Sequence, residues 1–274
     1  MTDIRTWWSA GRREQVAGHH IWVHEPMGSG PPMTLLHGYP SSSHDWAKIA
    51  PALAEHHTLL MFDLLGFGAS DKPEGHEYSI FEQADIVEAV WDMHGIGATV
   101  VVAHDYSVTV AQELLAREAP ITRLHLLNGG LYPDLHRPVP TQTALADPVQ
   151  GPQLVAALTP EAFTEFLRPT FGEGYDFAQD SADIYAASTE GGIALHRLIA
   201  YMAERRANAE RWVGALESTD VPLAFVWGML DPISGAHIAE RIRERLPGAP
   251  FEALEDVAHW PPLEAPERVA AAIG

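Results

Sequence analysis

Val100-Val101-Val102-Ala103-His104-Asp105-Tyr106-Ser107-Val108 is the stretch whose reading decides the fold. The β-branched run Ala98 to Ala103 suits a strand buried on both faces, and a helical pattern, Ser107 to Glu118, follows with no linker. A strand that turns straight into a helix is the setting of a nucleophile elbow, where a strained bend lifts one side chain out of the sheet. Small residues must flank that bend. Ala103 and Ser107 supply them, which puts Asp105 at the apex. A carboxylate there also meets the unpaired N–H groups and positive dipole end of the helix, both of which favour its ionised form.

Two plainer readings compete. Aspartate is a common helix cap, so Asp105 taken alone serves as well for capping as for catalysis. Ser107 could instead be the nucleophile, but it would then lie inside the helix with Asp105 and Thr109 as its flanks. The rest of the chain weighs between them.

Upstream, Leu35-Leu36-His37-Gly38-Tyr39-Pro40 ends a short apolar strand and enters a loop. Its Tyr39 N–H, with that of Tyr106, could form an oxyanion hole, and Tyr39-Pro40 is a candidate cis bond. Downstream, Phe225-Val226-Trp227-Gly228-Met229-Leu230-Asp231-Pro232 sets an acid just beyond a strand. Asp256-Val257-Ala258-His259-Trp260-Pro261 sets an imidazole beyond the next. Nucleophile, acid, histidine is the chain order this kind of elbow requires. Asp231-Pro232 could be a simple turn, and most of the 15 histidines should be surface residues. Position after the last strand and before the last helix is what singles out His259.

Around these sites, strands and helices alternate as in an α/β fold with a mostly parallel sheet covered by helices. His20 to Glu25 reads as an early antiparallel strand, and Met33 to His37 and Thr58 to Asp63 as short buried ones. Ile80 to His94 has helical apolar spacing, with Ser79 as N-cap and Glu82 as its capping-box partner. Ile121 to Leu127 is the next strand. Prolines, glycines and helical fragments, among them Ala194 to Arg206, then replace the alternation. Strand character returns at Pro222 to Trp227, followed by a helix from Gly235 to Leu246, a strand at Phe251 to Leu254 and a helix from Pro266. The expected division is a core of residues 1–130 and 213–274 with an inserted helical cap of 131–212.

Composition narrows the function. With 17 Lys and Arg against 37 Asp and Glu, the net charge of −20 disfavours nucleic acid and anionic membrane surfaces. Hydrophobic residues at 46% allow a sizeable core. Absence of cysteine excludes a thiol nucleophile, disulfides and thiolate metal sites. The start of the chain, with Asp3, Arg5, Arg12, Arg13 and Glu14, lacks a secretory apolar region, and no window approaches a membrane span. A soluble, cytoplasmic protein is expected, monomer or homodimer, with no cofactor and no metal.

Several stretches together resemble the α/β-hydrolase superfamily, in its epoxide hydrolase and haloalkane dehalogenase group. They are most similar to the branch of the mesoderm-specific transcript proteins. Among them are His37-Gly38-Tyr39-Pro40-Ser41-Ser42-Ser43, Asp63-Leu64-Leu65-Gly66-Phe67-Gly68-Ala69-Ser70-Asp71-Lys72-Pro73, His104-Asp105-Tyr106, Asn128-Gly129-Gly130, His136-Arg137-Pro138 and Arg211-Trp212-Val213-Gly214-Ala215-Leu216. The resemblance implies an Asp105 nucleophile, Asp231 as triad acid, His259 as general base, and backbone donors at Tyr39, in the loop that His37 opens, and at Tyr106, next to the nucleophile. Relatives commonly carry glycine where this chain has Ser107.

Dehalogenases of that group are known for a tryptophan after the nucleophile and often an asparagine after the His-Gly pair. Tyr106 and Tyr39 stand there instead, so the resemblance implies an epoxide as substrate, with water the second reactant. Epoxide hydrolases carry cap tyrosines that donate to the ring oxygen. Tyr201 has about the right spacing from Asp231, and Tyr175 or Tyr185 is a candidate second donor, although each of the three could simply pack. Haloalkane or haloacid dehalogenation and a non-hydrolytic role are the alternatives.

Overall fold

In the computed structural model, which describes residues 2–274, the apolar runs form two sheets. β1 (Gly11–Val16) and β2 (His19–His24) make an antiparallel hairpin. The main sheet contains β3 (Pro32–Leu36), β4 (Thr58–Met61), β5 (Thr99–His104), β6 (Ile121–Leu127), β7 (Leu223–Gly228) and β8 (Phe251–Leu254). Its order is β4-β3-β5-β6-β7-β8, and all five pairings are parallel. A parallel sheet needs both faces covered. One face packs into a core with Val101, Ala103, Leu124, Leu126 and Phe225, the other into a core with Met33, Leu35, Val102, Leu127 and Val226.

β5 lies inside the sheet, its residues from Val101 to Ala103 fully buried. The helix Tyr106–Ala116 leaves it directly and is buried over nearly its whole length. Reversal of strand order on either side of β3 and β5 opens a crevice at the carboxyl ends of the strands, where α/β sheets bind ligands.

Between β6 and β7 the chain forms only helices, including Ala178–Thr189, Leu195–Leu198, Tyr201–Ala207 and Ala209–Ser218. The last of these packs on the elbow helix Tyr106–Ala116. Glu113 fixes the contact by accepting from Arg211 Nε at 2.7 Å and from Trp212 Nε1 at 2.7 Å. Glu204 ties the insertion to the sheet-covering helix Ile80–Met93: it accepts from Ile80 N–H at 2.8 Å and from the Ser79 hydroxyl. Among the described residues no helix is long and apolar enough to cross a membrane.

Two sequence expectations are corrected, and one strand lies beyond them. The hairpin has a strand, β1, that polar Gly11-Arg12-Arg13-Glu14-Gln15 does not announce, because its side chains are largely exposed and it is held by pairing to β2 and by contacts distant in sequence, such as Glu14 with His94 Nε2 at 2.9 Å. The helical stretch from Ala194 to Arg206 is two helices, broken at Ile199 and Ala200. The expected capping box at Ser79 has no Glu82 in it, since that carboxylate is taken by His76 Nε2 at 2.8 Å and Glu204 caps the helix from across space.

Candidate active site

β5 delivers Asp105 to the crevice at φ 47° and ψ −106°, a region where non-glycine residues are strained by about 1–3 kcal/mol. The surroundings hold the bend. Asp105 N–H donates to the Asn128 carbonyl at 3.0 Å, and the Asp105 carbonyl accepts from Val108 N–H at 3.2 Å. Gly38 and Gly129 leave the necessary room: a Cβ on Gly38 would stand 2.8 Å from Asp105 Cβ, and one on Gly129 would stand 2.8 Å from the Asp105 carbonyl oxygen. Ser107 does not face the crevice; it is fully buried and its hydroxyl donates to the His37 carbonyl. Asp105 makes no side-chain cap bond to its helix, which removes the plain capping reading.

The carboxylate of Asp105 is 5% exposed and points into the crevice end of the sheet. Its Oδ2 accepts from Tyr39 N–H at 2.9 Å, and its Oδ1 lies 3.6 Å from His259 Nε2. Tyr39-Pro40 is cis. The expected second donor, Tyr106 N–H, makes no hydrogen bond to the carboxylate. Asp231 Oδ2 accepts from His259 Nδ1–H at 2.8 Å, so the imidazole is oriented with Nε2 toward Asp105. Asp231 is itself saturated, by Asn128 Nδ2 at 3.0 Å, the Ser234 hydroxyl at 2.7 Å and Ile233 N–H at 2.7 Å.

Burial and pairing set the charges. Burial alone would raise the Asp231 carboxyl, but the His259 charge and these hydrogen bonds outweigh it and hold it well below the usual carboxylate range. Burial likewise opposes the His259 cation, yet Asp231 first and then Asp105 carry its pKa up to about 9. For Asp105 burial wins and the carboxyl is raised, against the pull of His259, the Tyr39 N–H and Arg205. Beside it, burial and the His259 charge push His104 down to about 3. That ring is therefore neutral, and its Nε2–H donates to the His259 carbonyl at 2.8 Å.

Tyr201 is 2% exposed, with its ring 4.8 Å from that of Tyr106 and 6.4 Å from that of Tyr39. Burial, then the Asp105 charge, raise its phenol. Phe166, Leu167, Ile233 and Trp260 join Asp105 and His259 around a small cavity.

Two candidate residues are not brought to the crevice. Tyr175 is a half-buried residue whose hydroxyl donates to Asp180 Oδ2 at 2.7 Å and accepts from Lys48 Nζ at 2.8 Å, which leaves it no role at Asp105. Tyr185 packs its ring 5.6 Å from that of Phe163. His37 turns its ring away from the carboxylate: Nε2 accepts from Leu64 N–H at 3.0 Å and Nδ1–H donates to the Gly38 carbonyl at 3.0 Å. Its effect is to shape the loop that carries Tyr39.

An alpha/beta hydrolase fold family model matches residues 31–266. The chain belongs to the alpha/beta hydrolase fold family. Similar to this hydrolase-fold chain is the mesoderm-specific transcript homolog protein of Bos taurus, 38% identical over 283 residues that cover 96% of this chain and 84% of that one. Haloalkane dehalogenase DatA from Agrobacterium tumefaciens C58 is structurally similar, with TM-score 0.78 at 24% identity over 95% and 93% of the two chains. Epoxide hydrolase CorEH has TM-score 0.75 at 21% identity over 95% of each. Identities this low carry the fold alone.

Asn128 and Arg205 are the residues that sequence reasoning left without a role. Asn128 bridges the elbow and the acid, donating to Asp231 and to the Gly228 carbonyl while its own carbonyl holds Asp105 N–H. Its signal was an amide followed by two glycines at the end of β6. Arg205, in a run of two arginines on a short helix, gave no signal of its burial.

Proposed function

We propose that this protein hydrolyses epoxides to vicinal diols through an ester on Asp105, with His259 as general base and Asp231 as the acid that orients it. In this reading residues 131–212 form a cap over a core of 1–130 and 213–274. The observation that carries it is a buried carboxylate at the apex of a strained elbow, 3.6 Å from an imidazole that a second carboxylate holds at 2.8 Å.

Asp105 Oδ1 attacks a ring carbon, the carbon–oxygen bond of the ring breaks, and its electron pair goes to the ring oxygen, which takes the proton of Tyr201. With the Asp105 charge gone, the imidazolium gives its proton to the Tyr201 phenolate, and neutral His259 then takes a proton from water as the hydroxide adds to the ester carbonyl carbon. Asp105 Oδ2, already bonded by Tyr39 N–H, becomes the oxyanion of that step. Collapse expels the diol oxygen, which the imidazolium protonates. The carboxylic acid left on Asp105 returns its proton to His259, so Asp105, His259 and Tyr201 are all restored.

A hydroxyl donor suits a departing alkoxide, whereas a halide leaves with its own charge and is better served by N–H donors. Tyr201, whose phenol feels the Asp105 charge, therefore favours an epoxide. The test is turnover of phenyl glycidyl ether beside 1-chlorobutane and 1-bromobutane, with wild type and Asp105→Asn. Diol formation by wild type and none by the variant is expected. Halide release in place of diol would make the protein a dehalogenase, and equal diol formation by Asp105→Asn would remove the covalent scheme.

A further inference from the structure

Arg205 is 2% exposed and makes no ion pair with any acid among the described residues. A buried guanidinium without a carboxylate is costly, since desolvation of a charge is repaid only by a partner. Arg205 Nη2 donates to His136 Nδ1 at 2.9 Å, the Tyr201 hydroxyl is its other hydrogen-bonding neighbour, and Nε has no partner. His136 is no counter-ion: burial, then the Arg205 charge, push its pKa down to about 3, and its buried Nε2 is also unpartnered.

The guanidinium lies beside the reacting groups. Its Cζ stands 5.1 Å from the centroid of the Tyr201 ring. It also abuts Gly130, where an added Cβ would come within 2.1 Å of Nη1. Gly130 is two residues beyond Asn128, whose carbonyl holds the Asp105 amide, and two residues reach about 7 Å at most. The charges of Asp105 and Arg205 are accordingly felt by each other.

Asp105 is thus the carboxylate whose charge reaches Arg205, and in the proposed cycle it is the one that disappears. Once it is esterified and the imidazolium has reprotonated the Tyr201 phenolate, Arg205 faces no negative charge unless the substrate brings one. We propose that Arg205 receives a carboxylate of the substrate, which makes the preferred substrates short epoxides bearing a carboxylate group. The preference for epoxides rests on the function proposed above; the anion site does not. The acidic surface of the chain, net −20, disfavours anions at a distance, so selection must act inside the crevice, through this buried cation.

The test separates the two. Binding of butanoate and of butan-1-ol, neither of which can react, is measured by calorimetry and competition with wild type, Arg205→Lys and Arg205→Gln, each first checked for an unchanged near-ultraviolet circular dichroism spectrum. Butanoate should bind wild type at least tenfold more tightly than butan-1-ol; Arg205→Lys should keep part of the preference and Arg205→Gln should lose it. Equal binding of the two by wild type, failure of butanoate to bind, or an undiminished preference in Arg205→Gln would overturn the proposal. Should Arg205→Gln misfold, the wild-type comparison and Arg205→Lys decide it. In a second arm, kcat/KM for glycidate should exceed that for glycidol, the excess disappearing in Arg205→Gln. Butanoate binding with no turnover of either epoxide would leave the anion site standing and remove the epoxide reading.

Discussion

Asp105 Oδ1 and His259 Nε2 stand 3.6 Å apart, close enough for their charges to interact and too far for a good hydrogen bond. The spacing fits two groups used one after the other. In the proposed cycle Asp105 must be free to attack, and only after it is esterified does His259 need to draw a proton from water. While Asp105 is ionised, its charge helps hold His259 as a cation. Esterification removes that charge, so the imidazole becomes easier to deprotonate at the step where a base is wanted.

His259→Gln separates the half-reactions. Ring opening should proceed and hydrolysis should stall, so that one epoxide equivalent accumulates on the peptide containing Asp105. Intact and peptide mass spectrometry read the adduct directly. A variant that turns over normally and carries no added mass would show that His259 takes no part in ester hydrolysis.

The same pairing gives a stability profile. His259 is held at about 9 in the folded protein against an ordinary 6.5, so its protonation favours the folded state. That contribution is complete below about pH 6.5 and is lost as the pH rises through 9, at most about 3 kcal/mol. Lys72, lowered to about 8 by burial, works in the opposite direction as it deprotonates. The difference in denaturation free energy between wild type and His259→Gln isolates the histidine, and it should shrink from pH 6.5 to pH 9.5. A difference that is flat across this range would contradict the assigned charge state.

Tyr201→Phe tests the proton donor. General acids of this kind contribute about 10²–10⁴-fold. Single-turnover ring opening should slow within that range while the hydrolysis of a preformed ester continues at its former rate. Unchanged ring opening would leave Tyr201 to pack against Tyr39 and Tyr106 and do nothing more.

The parts of this site that were legible in the sequence are those fixed by neighbours in the chain. Val100 to Val108 announces its own strand, bend and helix, and Asp231 and His259 follow strand ends, so their placement needs little tertiary information. The helical insertion was harder to read because its contacts run across the chain. Tyr175 and Tyr201 look alike in sequence, yet one is held by Lys48 and Asp180 and the other lies against Tyr106. Glu82 sits where a capping box would use it, and Glu204, more than a hundred residues away, does that work instead. Arg205 was invisible for the same reason: burial of a charge depends on Gly130 and His136, which only the fold brings to it.

Oxygen-18 tracing in a single turnover tests the central claim most directly. With enzyme in excess over phenyl glycidyl ether in heavy-oxygen water, the diol should leave carrying an unlabelled oxygen from Asp105, and the label should appear in the Asp105 peptide. Label in the diol and none in Asp105 after that first turnover would mean that water attacks the ring itself, and would contradict an ester on this carboxylate.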